Sequence, residues 1–234
     1  MTEDFRPLRT IRSFVRRQGR LTSSQQHALD AFSSQWMLVF ETPEMQLDFQ
    51  SVFGNQHPVV MEIGFGDGQC LLTMATAMPE TNFLGIEVHR PGVGRLLQGI
   101  SEKKLNQIRV ISADAMDVLT RHISNGSLTG IHLFFPDPWH KKRHHKRRLV
   151  QPVFADLIAQ KLKPSGYIHL ATDWQDYAQH MLAVFNHHPQ FINQSASGDF
   201  FQQATVRPRT KFETRGLKLG HGVWDLIFKR NDIM

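Results

Sequence analysis

The sequence predicts an α/β fold in which a doubly wound, mostly parallel seven-stranded sheet follows a basic N-terminal arm. Three observations carry that expectation. From Val59 onward, short apolar runs alternate with amphipathic stretches, the pattern of a parallel sheet covered by helices on both faces. Alternate glycines, Gly64, Gly66 and Gly68, stand directly after the first apolar run, where a strand must turn into a helix. Acidic residues recur at the ends of successive runs, and open parallel sheets bind ligands outside the carboxyl ends of their strands.

Residues 1–58 are rich in Arg, Gln and Ser with little strand pattern. They read as an arm and lead-in segment, with a short helix or turn within 28–40, before a domain over 59–234. Val59-Val60-Met61-Glu62-Ile63 is the first buried strand, and a helix follows the glycines to about residue 78. Residues 82–88 form the second strand. Residues 91–104 form a helix with Pro91 in its first turn, where the missing donor is harmless. A third strand at 108–112, a short helix at 114–122 and a fourth strand at 130–135 come next. Leu149, Val150, Val153, Phe154, Leu157, Ile158 and Leu162 make one apolar stripe, the mark of an amphipathic helix. Pro164-Ser165-Gly166 is expected to end it. A fifth strand at 167–171 and a helix carrying Trp174, Tyr177, Met181, Val184 and Phe185 follow. A looser strand near Phe191 and a last one at 223–229 complete the sheet.

With 234 residues and 41% apolar composition, the chain can bury a core without disulfides or metals. One cysteine, Cys70, excludes an intrachain disulfide and a multi-thiolate metal site. No run of 18 apolar residues exists to span a membrane, and the N-terminal arginines lack the apolar stretch of a secretory signal. The cytoplasm is the expected compartment. Charge is more telling. The formal net charge is +6; residues 1–20 carry +4 and 140–148 (HKKRHHKRR) carry +6, leaving −4 for the rest. A mildly acidic body with two basic appendages is a footprint for a polyanion. His140, His144 and His145 lie among six Lys and Arg residues, which would repel a divalent cation, so no metal is expected.

The strand ends carry the chemistry. Glu62-Ile-Gly64-Phe-Gly66-Asp-Gly68 is G-x-G-x-G preceded by a carboxylate, not the G-x-G-x-x-G of a pyrophosphate site. A carboxylate there repels phosphate and suits a cation such as the ammonium group of S-adenosylmethionine. A tight turn without a ligand is the other reading. Glu87 lies 21 residues after Gly66, the spacing at which an acid accepts from ribose hydroxyls. Asp114 closes the third strand and suits an adenine amino group; Asp is also a preferred helix N-cap. Phe134-Phe-Pro136-Asp137-Pro138-Trp139 ends the fourth strand in a proline-stiffened corner, where Asp137 can take a base edge and Trp139 can stack. The basic run follows directly, suggesting a nucleic-acid substrate. No G-x-S-x-G or H-E-x-x-H supports a hydrolase. A nucleotide-dependent oxidoreductase is disfavoured by the glycine spacing.

Glu62-Ile-Gly-Phe-Gly-Asp-Gly68, Phe135-Pro-Asp-Pro-Trp-His-Lys-Lys-Arg-His144 and Thr210-Lys-Phe-Glu213 with Gly220-His-Gly-Val-Trp-Asp225 together resemble the bacterial tRNA (guanine-N7-)-methyltransferases, over about residues 6–228. The resemblance implies a class I methyltransferase fold, S-adenosylmethionine as methyl donor and tRNA as partner, for a monomer or homodimer. By it, Glu62, Glu87, Asp114 and Asp137, with the three glycines, would bind the donor or line the active site, and Asp137 would be catalytic. Lys141, Asp173, Thr210, Lys211, Phe212 and Glu213 would contact the substrate. Arg143, His144, His145, Lys146, Arg147 and Arg148 would contact RNA. Asp173 also suits an N-cap for the helix that follows. The alternative from another class is a non-catalytic RNA-binding protein on a methyltransferase-like fold.

Overall fold

The computed structural model describes residues 13–14, 19–201, 207–208, 213 and 222–231. Most of the basic arm and three expected substrate residues, Thr210, Lys211 and Phe212, lie outside the described residues. Two helices, α1 (Ser23–Trp36) and α2 (Phe49–Phe53), precede the alternating units. These are β1 (Val59–Ile63), α3 (Gln69–Ala77), β2 (Asn82–Ile86), α4 (Arg90–Lys103), β3 (Ile108–Ile111), α5 (Ala115–Arg121) and β4 (Leu128–Phe134). A 3-10 helix (Lys142–Arg147) leads to α6 (Pro152–Lys161), β5 (Leu162–Thr172), α7 (Gln175–Asn186), β6 (Phe191–Asn193) and β7 (Trp224–Arg230).

The seven strands form one sheet in the order β3-β2-β1-β4-β5-β7-β6. The first five are parallel, and β7 inserts antiparallel between β5 and β6. The order reverses between β1 and β4, so a crevice opens at their carboxyl ends.

Alternation of side chains along each strand sorts the core into two layers. Met61, Leu84, Ile131, Leu133, Ile168, Leu170, Leu226 and Phe228 face Val118 and Leu119 of α5, Phe154 and Ile158 of α6, and Met181 and Phe185 of α7. Val60, Phe83, Ile108 and Val110 face the other way. They meet Ala28, Leu29 and Trp36 of α1, Leu71, Leu72 and Ala75 of α3, and Leu96, Leu97 and Ile100 of α4. On this second face the register row that starts at Gly85 continues across the sheet with the polar side chains of Glu62, His132 and His169.

Three local results differ from the sequence expectation. The lead-in segment holds α1, five residues earlier than expected, because Thr22 and Gln25 form a reciprocal capping box. A Cβ on Gly94 of α4 would lie 2.8 Å from the Gln25 carbonyl oxygen, so α1 packs backbone to backbone against α4. Pro164-Ser165-Gly166 does not end a helix. It is a bulge inside β5, at the register shift between Leu128 and Gly130, a place where a strand tolerates proline. The helix ends earlier, at Lys161, whose ammonium donates to the Ile123 carbonyl (2.8 Å) and to Asn125 Oδ1 (2.8 Å). No helix among the described residues is long and apolar enough to cross a membrane.

Candidate active site

Glu62, Glu87, Asp114 and Asp137 all stand at or just beyond the carboxyl ends of β1, β2, β3 and β4, along one edge of the sheet. Gly64, Gly66 and Gly68 have φ of 71°, 60° and 76°, a region that only glycine enters at low cost. A Cβ on Gly64 or Gly66 would meet nothing within 4 Å, so the turn presents bare backbone outward. Its position is fixed from behind. The Gly64 N–H donates to the Ile86 carbonyl (2.8 Å), and a Cβ on Gly92 of α4 would lie 2.0 Å from the Gly66 carbonyl oxygen. Glycine at 92 therefore lets α4 seat the turn, a requirement the sequence expectation missed.

Glu62 is 3% exposed, and its Oε2 has no hydrogen-bond partner among the described residues. Burial, then the charges of Glu87 and Asp67, push its carboxyl up to about 8. A buried, unpartnered carboxyl oxygen beside a bare glycine turn can accept a hydrogen bond from a group that enters there, and a cation would favour its ionised form. Glu87 accepts from the backbone N–H of Gly66 (2.9 Å), Val88 (2.7 Å) and His89 (2.9 Å). It thus staples the glycine turn to the loop after β2 and stays at the crevice rim. Asp114 caps α5 by accepting from Met116 N–H at 3.0 Å. The residue is half-buried, and a carboxylate can accept several hydrogen bonds at once.

The corner after β4 is held under strain. Phe135 (φ 52°) and Trp139 (φ 49°) flank Pro136-Asp137-Pro138 in the left-handed region, costing about 1–3 kcal/mol each. Neighbouring groups over-determine it. Phe135 N–H donates to the Ala171 carbonyl (2.8 Å), Arg148 Nε to the Pro138 carbonyl (2.9 Å) and Trp139 Nε1 to the Ser13 carbonyl (3.0 Å). The Asp137 side chain is exposed at the apex.

The basic run is not uniform. Lys141, Lys142, Arg143 and Lys146 are exposed. His144 is held below its ordinary range by partial loss of hydration and by the charges of Arg143, Arg147, Lys141 and Lys146, and His145 approaches Asp176 at 3.9 Å. Arg147 lies over the Trp139 ring at 4.2 Å. Arg148 is turned inward: 3% exposed, it pairs with Asp176 and covers the Tyr177 ring at 4.8 Å. Its charge joins the corner to α7. Asp173 is half-buried after β5, and the α7 N-cap is Trp174, so the carboxylate is not spent on capping.

A second group surrounds Glu213, an expected substrate residue, and Asp225; its members Arg207 and His169 escaped the sequence reading. Arg207 donates to Asp225 from Nε (2.7 Å) and Nη2 (3.1 Å), and from Nη1 to Glu213 (2.6 Å). His169 Nε2 donates to Asp225 at 2.8 Å. Despite burial, the bonds from His169 and Arg207 hold the Asp225 carboxyl below its ordinary range. The Arg207 guanidinium lies 5.4 and 5.2 Å from the Phe134 and Phe135 ring centres, which sets Glu213 beside the β4 corner. Behind it, His132 bonds the Tyr167 hydroxyl at 3.0 Å, and burial pushes this histidine down to about 3, so it stays neutral.

A family profile described as "Putative methyltransferase" matches residues 56–226. The chain is 55% identical over 229 residues to a tRNA (guanine-N(7)-)-methyltransferase of Klebsiella pneumoniae subsp. pneumoniae, covering 97% of this chain and 95% of that protein. It is 52% identical over 233 residues to one of Ectopseudomonas mendocina, covering 99% and 97%. Its fold is similar to that of the 16S rRNA methyltransferase KamB, with a TM-score of 0.55 at 12% identity over 78% of this chain and 92% of that one. Both sequence relatives are matched over nearly their whole length, so the matched stretch spans the whole sheet and its strand ends. The chain belongs to the tRNA (guanine-N(7)-)-methyltransferase family.

Proposed function

We propose that the chain transfers a methyl group from S-adenosylmethionine to N7 of a guanine in tRNA, at the crevice bounded by Glu62, Glu87, Asp114 and Asp137. The observation that carries this reading is the row of four acidic side chains at consecutive strand ends around the outward-facing glycine turn. The donor supplies a methyl group activated on a sulfonium. Glu62 would receive its ammonium group, Glu87 its ribose hydroxyls and Asp114 its adenine amino group, across the backbone of Gly64, Gly66 and Gly68. The buried, unpartnered Oε2 of Glu62 fits that assignment.

Guanine N7 has an in-plane lone pair and no proton to lose, so the protein needs no strong base. Its work is positioning and electrostatics. Asp137, exposed at the apex of a strained corner, would accept from the guanine N1–H and N2–H₂ and favour the positive charge that develops on the ring. Lys141, Asp173 and Glu213 flank that corner, the last oriented by Arg207. Thr210, Lys211 and Phe212 are proposed to act with Glu213. Lys142, Arg143, Lys146 and Arg147 form a cationic bank for the tRNA backbone, and His144 and His145 between them offer hydrogen bonds to it. The cytoplasm, where tRNA is modified, is the compartment this reading implies.

The test is Asp137→Asn in the full chain. Donor affinity by calorimetry should stay within about threefold. Single-turnover transfer to unmodified tRNA should fall by about 100-fold or more, the scale of removing one preorganised electrostatic interaction. Unchanged transfer would refute the assignment of the acceptor corner.

A further inference from the structure

RNA bases that leave the stack are held on aromatic side chains, and the corner residue Trp139 is the natural candidate by position. Its surroundings argue otherwise. Arg147 covers the ring at 4.2 Å, His144 stands edge-on at 6.0 Å, and the indole N–H is bonded to Ser13. Trp139 thus serves as a post that joins the basic 3-10 helix to the N-terminal segment.

Trp174 has the opposite character. It is 36% exposed, whereas Trp36 is buried and Trp139 and Trp224 are half-buried. Its backbone is fixed by a bond from its N–H to Thr172 Oγ1 (3.2 Å) at the head of α7. Strand register puts it beside the corner. Phe134 of β4 pairs with Ala171 of β5; Asp137 and Trp174 each follow three residues later, just beyond the carboxyl ends of these two neighbouring parallel strands, whose spacing is about 4.8 Å. Two contacts support the juxtaposition. The His140 ring lies 4.1 Å from the Trp174 ring at 70°. Arg148 ties the Pro138 carbonyl to Asp176 in the first turn of α7.

We propose that Trp174, not Trp139, is the surface on which the acceptor guanine stacks, with His140 bracing its ring. Asp137 reads the edge of the base in its plane, and Trp174 holds its face. The two contacts are orthogonal, so one base satisfies both. This inference rests on the function proposed above and adds the residue that orients the acceptor.

The test compares wild type, Trp174→Ala and Trp174→Phe as full chains. Donor affinity by calorimetry should be the same in all three. Single-turnover transfer at subsaturating tRNA should fall by about 10- to 100-fold in Trp174→Ala, the range for losing one base–aromatic stack. Phenylalanine should restore most of it. With tRNA made abasic at the methylated position, wild type and Trp174→Ala should bind equally, since no base remains to stack. A wild-type rate in Trp174→Ala, failure of phenylalanine to restore transfer, or an undiminished difference on abasic tRNA would each overturn the assignment. A wild-type chain that binds the donor yet methylates no guanine would instead refute the proposed function.

Discussion

Donor binding should expel a proton from Glu62. This carboxyl is buried without a partner for Oε2, and burial with the nearby charges of Glu87 and Asp67 lifts it from 4.5 to about 8. At pH 7 the free protein therefore holds it mostly protonated. An ammonium group placed against it favours the carboxylate, so close to one proton should leave per donor bound. Affinity should rise with pH up to about 8 and level off above it. The same shift sets a stability trend. The folded state binds a proton that the unfolded chain has lost above 4.5, so stability falls as pH rises from there through 8, by about 5 kcal/mol in all. Glu62→Gln removes that dependence: the donor-free variant's stability relative to wild type should be greater at pH 9 than at pH 5, while donor binding weakens. Calorimetry at pH 7 in buffers of different ionisation enthalpy counts the proton, and urea unfolding at pH 5 and 9 reads the stability. Tight binding without proton release, or the same release in Glu62→Gln, would exclude Glu62 as the group that meets the donor's ammonium.

Four further perturbations separate structural from binding roles. Gly92→Ala places a methyl where the Gly66 carbonyl oxygen lies 2.0 Å away; overpacking of this kind costs about 1–3 kcal/mol, and displacement of the turn should weaken donor affinity at least tenfold by calorimetry. Arg207→Ala leaves the half-buried carboxylates of Asp225 and Glu213 without that cation, so denaturant unfolding should show a loss of about 3–5 kcal/mol. Arg207→Lys should recover little, because an ammonium cannot span both carboxylates as the guanidinium fork does. Neutralising Lys142, Arg143 and Lys146 together should flatten the salt dependence of tRNA binding by about 0.7–0.9 for each phosphate no longer neutralised, with no change in Tm. Arg148→Ala should instead lower Tm, since that guanidinium is buried against Pro138, Asp176 and Tyr177.

What was legible in the sequence follows from how local each signal is. Parallel strands buried on both faces appear as short apolar runs, and β1 to β4 lie within two residues of their expected bounds. The four acidic strand ends are readable because the sheet carries every strand end to one edge. Non-local features are not. Nothing in Arg207 or Asp225 announces that they pair across 18 residues of sequence. Gly92 looks like an indifferent helix residue until α4 is packed on the glycine turn. Pro164-Ser165-Gly166 carries a stop signal, yet pairing of Leu128 with Leu162 pulls it into a strand. The basic run reads as one surface because composition reports charge and not direction; the 3-10 helix turns Arg148 into the fold. Trp139 and Trp174 are indistinguishable by type, and only their neighbours separate a post from a platform.

Identifying the base that carries the new methyl group decides the reaction. Purified chain, S-adenosylmethionine and unmodified tRNA are incubated, the RNA is digested to nucleosides, and the methylated product is identified by mass spectrometry against standards. The expected product is 7-methylguanosine at one guanine per tRNA, largely lost in Asp137→Asn. A methyl group on another atom or base, or none from a chain that binds the donor, would contradict the proposed function.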